Sequence, residues 1–140
     1  MAFALDSRLQ RDTFLLGSND QELLLLMNDR RYPWFIIVPT QDGASEWFDL
    51  PEPDQATLHR HCVQLGAAVH TQFHCEKVNI AALGNIVRQM HVHIIGRHTD
   101  DPAWPGPVWG HSAAIPYDKP ALEQMKAQLL KMKELPFTLQ

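Results

Sequence analysis

Short apolar runs separated by turn-forming residues dominate the first part of the chain. Residues 14–16 and 22–27 are two largely apolar runs, and the turn formers at residues 17–20 separate them, so we predict two strands of a hairpin. Residues 34–38 are aromatic and β-branched and lie between two prolines, which predicts a buried strand. This part of the chain therefore favours a β-sheet.

The spacing of apolar residues changes after Asp54. Apolar side chains then recur three or four residues apart, at Leu58, Cys62, Leu65, Val69 and Phe73. This spacing predicts an amphipathic helix of about five turns. A second helix is expected near the C-terminus, over about residues 119–134, because the same spacing returns there.

The remaining segments complete the predicted fold. Residues 77–82 and 87–95 flank the turn at residues 83–86 and predict a second hairpin. Residues 101–120 contain five prolines and predict a stiffened loop. Since the strands are joined as hairpins, we expect an α+β domain with an antiparallel sheet of about five strands. One long helix and a C-terminal helix should pack on one face, within a single domain of residues 1–140.

Composition narrows the class of protein. The chain has 140 residues, 12 Lys+Arg against 16 Asp+Glu, and a formal net charge of -4, so it lacks the basic field that a nucleic acid polymer would require. No apolar run reaches the roughly 18 residues of a membrane span, and the N-terminus does not resemble a signal peptide. The two cysteines are too few for a disulfide framework, and Cys62 lies on the helix stripe. We expect a cytoplasmic protein.

The segment most informative about chemistry is residues 89–97, where two histidines alternate with apolar residues. In a strand, this alternation places Gln89, His91 and His93 on one face and the apolar residues between them in the core. Two neighbouring imidazoles offer a nucleophilic or acid/base nitrogen beside a second donor for an anionic oxygen. The alternative is a pair of structural histidines on a half-exposed sheet face.

A metal site is the other alternative for these histidines. A strand site on His91 and His93 needs a further ligand, yet no glutamate occurs between Lys77 and Leu122. His70 and His74 are spaced one helical turn apart, but no third ligand of suitable spacing is evident. We therefore expect neither a metal nor another cofactor.

The wider context of the motif resembles the histidine triad (HIT) family of nucleotide hydrolases and transferases. Asn79, Gly84, the polar-x-His-x-His alternation and the trailing Gly-Arg carry the resemblance. The runs 25–29 and 35–39, the long helix and the final hairpin also come in that family's order, so the motif-bearing core covers about residues 13–98.

The resemblance implies a covalent mechanism. His91 matches the family's nucleophile, which attacks the α-phosphorus of a nucleotide and forms a nucleotidyl-histidine that water or another acceptor then cleaves. His93 matches the third triad position, which helps to bind the α-phosphate oxygens. Gln89 matches the first position, and its main-chain carbonyl can orient the nucleophile as any other carbonyl would. This mechanism needs no metal, because a neutral imidazole attacks and fixed hydrogen-bond donors stabilise the charge on the phosphoryl oxygens.

The resemblance also implies a nucleotide-binding surface. Gly84 and Asn85 match the turn whose backbone N–H groups face the phosphate, an anion site of the kind that exposed amides form. Asn79 matches a polar residue that contacts the α-phosphate or orients the site. A final group matches the part of the family's site that holds the ribose and base: Met27, Asn28 and Asp29.

Three departures from the family pattern bear on activity. Gln89 replaces the first histidine, and Trp34 stands where many members carry the histidine that pairs with it. Ile86 stands where many hydrolases of the family have a hydroxyl near the leaving group. We expect slower turnover of substrates with poor leaving groups, and a nucleotide-binding sensor without catalysis is the alternative function.

Residues after the motif supply further candidates. Trp104, in the proline-rich loop, is a candidate for stacking on a base or for a dimer interface, and Trp109 and His111 lie on the same loop. Arg97 and His98 are candidates for contact with a distal phosphate, against the alternative that both are solvated charges. The expected partners are a small-molecule nucleotide and a second copy of the chain, since relatives are commonly homodimers, with no nucleic acid polymer and no membrane.

Overall fold

The computed structural model describes residues 2–140, which form a sheet of six strands with three α-helices. Met1, the first residue of the predicted domain, lies outside the described residues. The strands are β1 (Thr13–Ser18), β2 (Glu22–Met27), β3 (Trp34–Pro39), β4 (Lys77–Ala81), β5 (Val92–Arg97) and β6 (Thr138–Leu139). The helices are α1 (Ser7–Asp12), α2 (Glu52–Gln72) and α3 (Lys119–Lys131).

The sheet is antiparallel throughout and confirms the expected α+β class. Its strand order is β4-β5-β3-β2-β1-β6, so the two predicted hairpins lie in one sheet with β3 between them. The sheet has one strand more than the five expected, because the two-residue β6 pairs with β1 at Gly17 and Ser18. Six residues of β3 in succession are buried, as expected of a strand covered on both sides.

The two faces of the sheet are covered differently. On one face, α2 and α3 pack over Phe35 and Ile37, and the predicted stripe of α2 supplies Leu58, Cys62, Leu65 and Val69. On the other face, Leu9 of α1 and Val108 of the proline-rich loop pack over Ile36. The prediction that the long helix and the C-terminal helix pack on one face is therefore correct, and the short α1 lies on the opposite face. No helix within residues 2–140 is long and apolar enough to cross a bilayer.

The strand that carries the motif begins later than the predicted residue 87. Pairing between β4 and β5 ends at Ala81 and His93, and the chain between them leaves the sheet as a loop. Within this loop the N–H of Met90 donates to the carbonyl of Ala44 at 2.9 Å instead of pairing with β4. The expected alternation survives, because Met90 is buried in the core under α2 while His91 faces the opposite side.

A buried ion pair fixes the proline-rich loop to the end of β5. Arg97 Nε and Nη2 donate to the Asp101 carboxylate at 2.8 and 2.9 Å, and the arginine is only 2% exposed. The same carboxylate accepts from the backbone N–H groups of His98 and Trp104. Burial alone would raise the pKa of Asp101, but Arg97 and these N–H groups hold it below its usual value. The alternative that Arg97 is a solvated charge is wrong.

Removing the carboxylate should destabilise the protein. Asp101→Ala leaves the Arg97 guanidinium buried without its counter-ion, so we expect the free energy of unfolding to fall by about 3–5 kcal/mol, measured by urea denaturation. Asp100→Ala is the matched control, since Asp100 is exposed and adjacent, and a change within about 0.5 kcal/mol is expected. Equal effects of the two substitutions would contradict the role given to the pair.

Candidate active site

His91 and His93 lie at the floor of a cleft of about 440 Å³ on the face of the sheet opposite α2. The walls of the cleft come from α1, from the loop at residues 83–87 and from the segment at residues 108–114. Each histidine is 4% exposed, and their ring centroids are 4.9 Å apart. The predicted alternation therefore brings the two imidazoles together in a largely apolar cleft.

His91 has one nitrogen held by the backbone. Its Nδ1 lies 2.7 Å from the carbonyl oxygen of Gln89. A carbonyl oxygen can only accept, so Nδ1 carries the proton and Nε2 keeps its lone pair in the neutral ring. Burial holds the pKa of His91 below its usual value, although the Gln89 carbonyl and the Asp6 carboxylate act in the opposite direction. His91 is thus a neutral imidazole with a basic, nucleophilic nitrogen.

His93 is held in the opposite tautomer by Trp34. The two residues lie on the same face of the paired strands β3 and β5, where His93 is opposite Ile36 and one diagonal step from Trp34. The indole Nε1 of Trp34 lies 3.0 Å from Nδ1 of His93. An indole N–H only donates, so Nδ1 accepts and Nε2 carries the proton, which it donates to the carbonyl of Leu83 at 3.3 Å.

The environment keeps His93 uncharged. Burial and the neighbouring His91 lower the pKa of His93 to about 4, against a smaller opposing effect of the Leu83 carbonyl. Protonation at Nδ1 would also place a new N–H of His93 against the N–H of Trp34. Two donors would then face each other, and that hydrogen bond would be lost. The cleft therefore presents a nitrogen lone pair on His91 beside an N–H donor on His93, without a permanent positive charge on either ring.

The loop at Gly84 and Asn85 lies against the nucleophilic side of His91. A Cβ built on Gly84 would lie 2.8 Å from the carbonyl oxygen of Val87 and 3.7 Å from Cε1 of His91, so only glycine allows this approach. No backbone N–H of residues 84–87 donates a hydrogen bond within residues 2–140. Residues 85–87 line the cleft, whereas Gly84 does not, and unpaired amides there can bind an anionic oxygen. The phosphate turn itself stays a prediction.

The candidates for ribose and base contact lie at another part of the cleft. Met27 and Asp29 line it, whereas Asn28 accepts a hydrogen bond from the backbone N–H of Tyr117 and anchors the chain before α3. Asp29 is buried and paired with Arg31 at 2.9 Å. Burial would raise the pKa of Asp29, but Arg31 and two backbone N–H groups hold it below its usual value. Asp29 is therefore an ionised carboxylate at the cleft wall.

Several predicted site residues lie outside the cleft lining. Asn79 accepts a hydrogen bond from Arg97 at 2.8 Å, and Trp104 packs against the Arg97 guanidinium. His98 Nε2 donates to the carbonyl of Phe73. These residues, with Arg97, lie around the end of β5 that is farther from His91 and do not line the cleft. The structure instead places Trp109 beside His93, with ring centroids 5.2 Å apart.

Sequence reasoning missed two arginines that line the cleft, Arg8 and Arg31. Arg31 follows two residues after Asp29, which is a local signal for an ion pair that the sequence could have supplied. No local pattern indicates Arg8, because its place depends on packing of α1 against the loop at residues 83–87. Within residues 2–140, no three His, Cys, Asp or Glu side chains are placed to hold a metal ion.

Trp34→Phe should release the tautomer of His93. The substitution keeps an aromatic ring but removes the N–H that occupies Nδ1, so we expect both neutral tautomers and a higher pKa of His93. Long-range ¹⁵N NMR correlations of the His93 ring, recorded as the pH is lowered, measure both effects. Trp109→Phe is the control, because Nε1 of Trp109 is buried and has no partner within residues 2–140. An unchanged His93 spectrum in Trp34→Phe would refute the assignment.

Comparison with known proteins identifies the family. The sequence profile of the HIT domain matches residues 8–100. A histidine triad (HIT) protein of Sinorhizobium meliloti has a similar crystal structure, with 43% identity, coverage of 93% of this chain and 96% of that chain, and a TM-score of 0.89.

Two further crystal structures show the same relationship. A histidine triad protein of Marinobacter aquaeolei is 40% identical over 96% of this chain and 99% of that chain, with a TM-score of 0.92. One from Bradyrhizobium japonicum is 39% identical over 94% of this chain and 98% of that chain, with a TM-score of 0.90. No curated protein matches the sequence. The profile match and the fold shared at this level of identity show that the chain belongs to the histidine triad (HIT) family.

Proposed function

We propose that the protein binds a nucleotide conjugate and cleaves it at the α-phosphate through a covalent nucleotidyl-His91 intermediate. The observation that carries this proposal is the pair of opposite tautomers, with a lone pair on Nε2 of His91 beside an N–H on Nε2 of His93. Family membership supports a small nucleotide ligand. The substrates we infer are dinucleoside polyphosphates, nucleoside phosphoramidates or similar conjugates.

The first step forms a bond between Nε2 of His91 and the α-phosphorus and breaks the bond from that phosphorus to the leaving group. A phosphate leaving group departs as an anion, and an amine leaving group takes up a proton from solvent. Positive charge then develops on the His91 ring, which the Gln89 carbonyl stabilises through Nδ1–H. A neutral His93 adds no second cation, with the two ring centroids 4.9 Å apart, and its Nε2–H can exchange the 3.3 Å bond to the Leu83 carbonyl for a bond to a phosphoryl oxygen. The amides of residues 84–87 would meet the remaining oxygens.

The second step returns the enzyme to its starting state. Water attacks the phosphorus, the bond from phosphorus to Nε2 of His91 breaks, and a nucleoside monophosphate leaves together with one proton released to solvent. A different acceptor in place of water would make the protein a nucleotidyl transferase. Both steps use residues of a single chain and no cofactor, and the predicted homodimer stays a prediction.

Formation of the adduct tests the mechanism directly. On mixing with diadenosine tetraphosphate and quenching in alkaline denaturant, which preserves a phosphorus–nitrogen bond to histidine, intact mass spectrometry should detect one added adenylyl group. His91→Ala should abolish the adduct and lower kcat/KM by on the order of 10³-fold. His59→Ala is the control, since His59 is exposed on α2. Turnover by His91→Ala at the parent rate would refute the mechanism.

The alternative function is a nucleotide-binding sensor that does not turn its ligand over. It is favoured by Ile86, whose side chain is 79% exposed at the cleft and offers no hydroxyl to a leaving group. Calorimetric binding of AMP, with no hydrolysis and no adduct across a panel of nucleotide conjugates, would support this alternative over the enzyme.

A further inference from the structure

Gln89 has a second set of contacts besides its carbonyl bond to His91. Its side-chain Nε2 donates to the carbonyl of Ala4 at 2.9 Å, and its Oε1 accepts from the backbone N–H of Asp6 at 2.9 Å. Both polar atoms of the amide are therefore bound to the N-terminal segment just before α1. The residue aligned with the first triad position thus holds that segment beside the nucleophile.

The held segment in turn orients Arg8. The Asp6 carboxylate caps α1 through the backbone N–H of Arg8 at 2.8 Å and also accepts from Nε and Nη2 of the same arginine at 3.1 and 3.0 Å. On its other side, Nη1 of Arg8 donates to the carbonyl of Ile86 at 3.0 Å. The guanidinium is thus fixed between the N-terminal segment and the loop at residues 83–87.

This arrangement leaves part of the guanidinium open to the cleft. Of its five N–H groups, those three bonds leave one N–H on each terminal nitrogen, and these can donate to a phosphate. The Arg8 side chain is 42% exposed, whereas that of Arg31 is 12% exposed and is bound to Asp29 and Ser112. Among the described residues lining the cleft, Arg8 is the more available cation.

The position of Arg8 matters for the leaving group. Ile86, whose carbonyl accepts from Arg8, lines the cleft, and the family resemblance leads us to expect this position near the leaving group. Its own side chain is a hydrocarbon and cannot donate there. Arg8 brings two N–H donors and a positive charge to the same loop. These donors would stabilise the negative charge on a departing phosphate, whereas a departing amine carries no negative charge for them to stabilise.

We infer that Arg8, positioned by Asp6 and Gln89, selects conjugates whose leaving group is an anion bearing phosphate. This inference rests on the proposed cleavage at the α-phosphate and adds the recognition of what lies beyond it. Arg8 contacts the leaving group, and Gln89 is a positioning residue that acts through the N-terminal segment.

Two substrates with the same adenylyl unit test the inference. With Arg8→Gln, kcat/KM for diadenosine tetraphosphate should fall roughly 10- to 100-fold, because charged hydrogen bonds to the leaving group are lost. For an adenosine 5′-phosphoramidate of an alkylamine, it should stay within about 3-fold, since that leaving group carries no phosphate. Equal losses with both substrates would overturn the inference.

Arg11→Gln is the matched control on the same helix. Arg11 is exposed and does not line the cleft, although its partner Asp12 does, so this variant should show no loss that is selective for one substrate. An Arg11→Gln variant with the same selective loss would show that charge on α1, and not the Arg8 contact, is responsible, and would overturn the inference.

Gln89→Ala tests the positioning role, because it keeps the carbonyl that holds His91 but removes the side-chain bonds to Ala4 and Asp6. Gln89→Ala should lower kcat/KM for diadenosine tetraphosphate more than kcat/KM for the phosphoramidate, as Arg8→Gln does. In the double variant, the difference between the two substrates should be no larger than in Arg8→Gln alone. Full additivity of the two losses would overturn the positioning role.

A binding measurement separates this inference from the proposed chemistry. Calorimetry with AMP and ADP needs no turnover, and Arg8→Gln should weaken ADP binding roughly 10-fold or more while leaving AMP binding within about 3-fold. If ADP binding weakens selectively but no nucleotide conjugate is hydrolysed, the role of Arg8 is supported and the proposed catalytic function is rejected. Equal affinity changes for AMP and ADP would overturn the inference whatever the activity.

Discussion

The hydrogen bond from the Trp34 indole to Nδ1 of His93 determines what the cleft can offer a ligand. An indole never accepts in its plane, so this one contact fixes the proton of His93 on Nε2. The carbonyl of Gln89 fixes the opposite arrangement on His91. Two chemically identical side chains thereby become different groups, one with an available lone pair and one with an N–H donor, in the same cleft.

This difference depends on a cover over the sheet, formed by α1 and the proline-rich loop, that buries the two histidines. Because Leu9 and Val108 pack on the face that carries the histidines, both rings are buried and their pKa values lie below the usual range for histidine. The cover is held by the pair Arg97 and Asp101 at the end of β5. Residues at the far end of β5 therefore act on the site through burial, without lining the cleft themselves.

We expect Gln89 and Trp34 to stand where many family members carry two histidines, and each of these two residues has its own contacts. Trp34 bonds directly to His93, while the Gln89 side chain binds the N-terminal segment that leads to Arg8. The main-chain carbonyl of Gln89 accepts the hydrogen bond from His91, and this contact does not depend on which side chain residue 89 carries. The bond that orients His91, the proposed nucleophile, is therefore retained, and the Gln89 side-chain contacts supply a physical basis for the proposed leaving-group preference.

Local pattern by itself determined the hairpins, the stripe of α2 and the facing of His91 and His93, because strand and helix periodicity are properties of neighbouring residues. It did not locate the start of β5, since Met90 pairs with Ala44 and not with β4. Trp34 and His93 are separated by 59 positions, and Asp6 and Gln89 by 83, so no spacing in the chain could reveal either contact. Tautomer, charge state, the burial of Arg97 and the orientation of Arg8 were decided only by tertiary structure, because they depend on which distant donor or carboxylate the fold brings into contact.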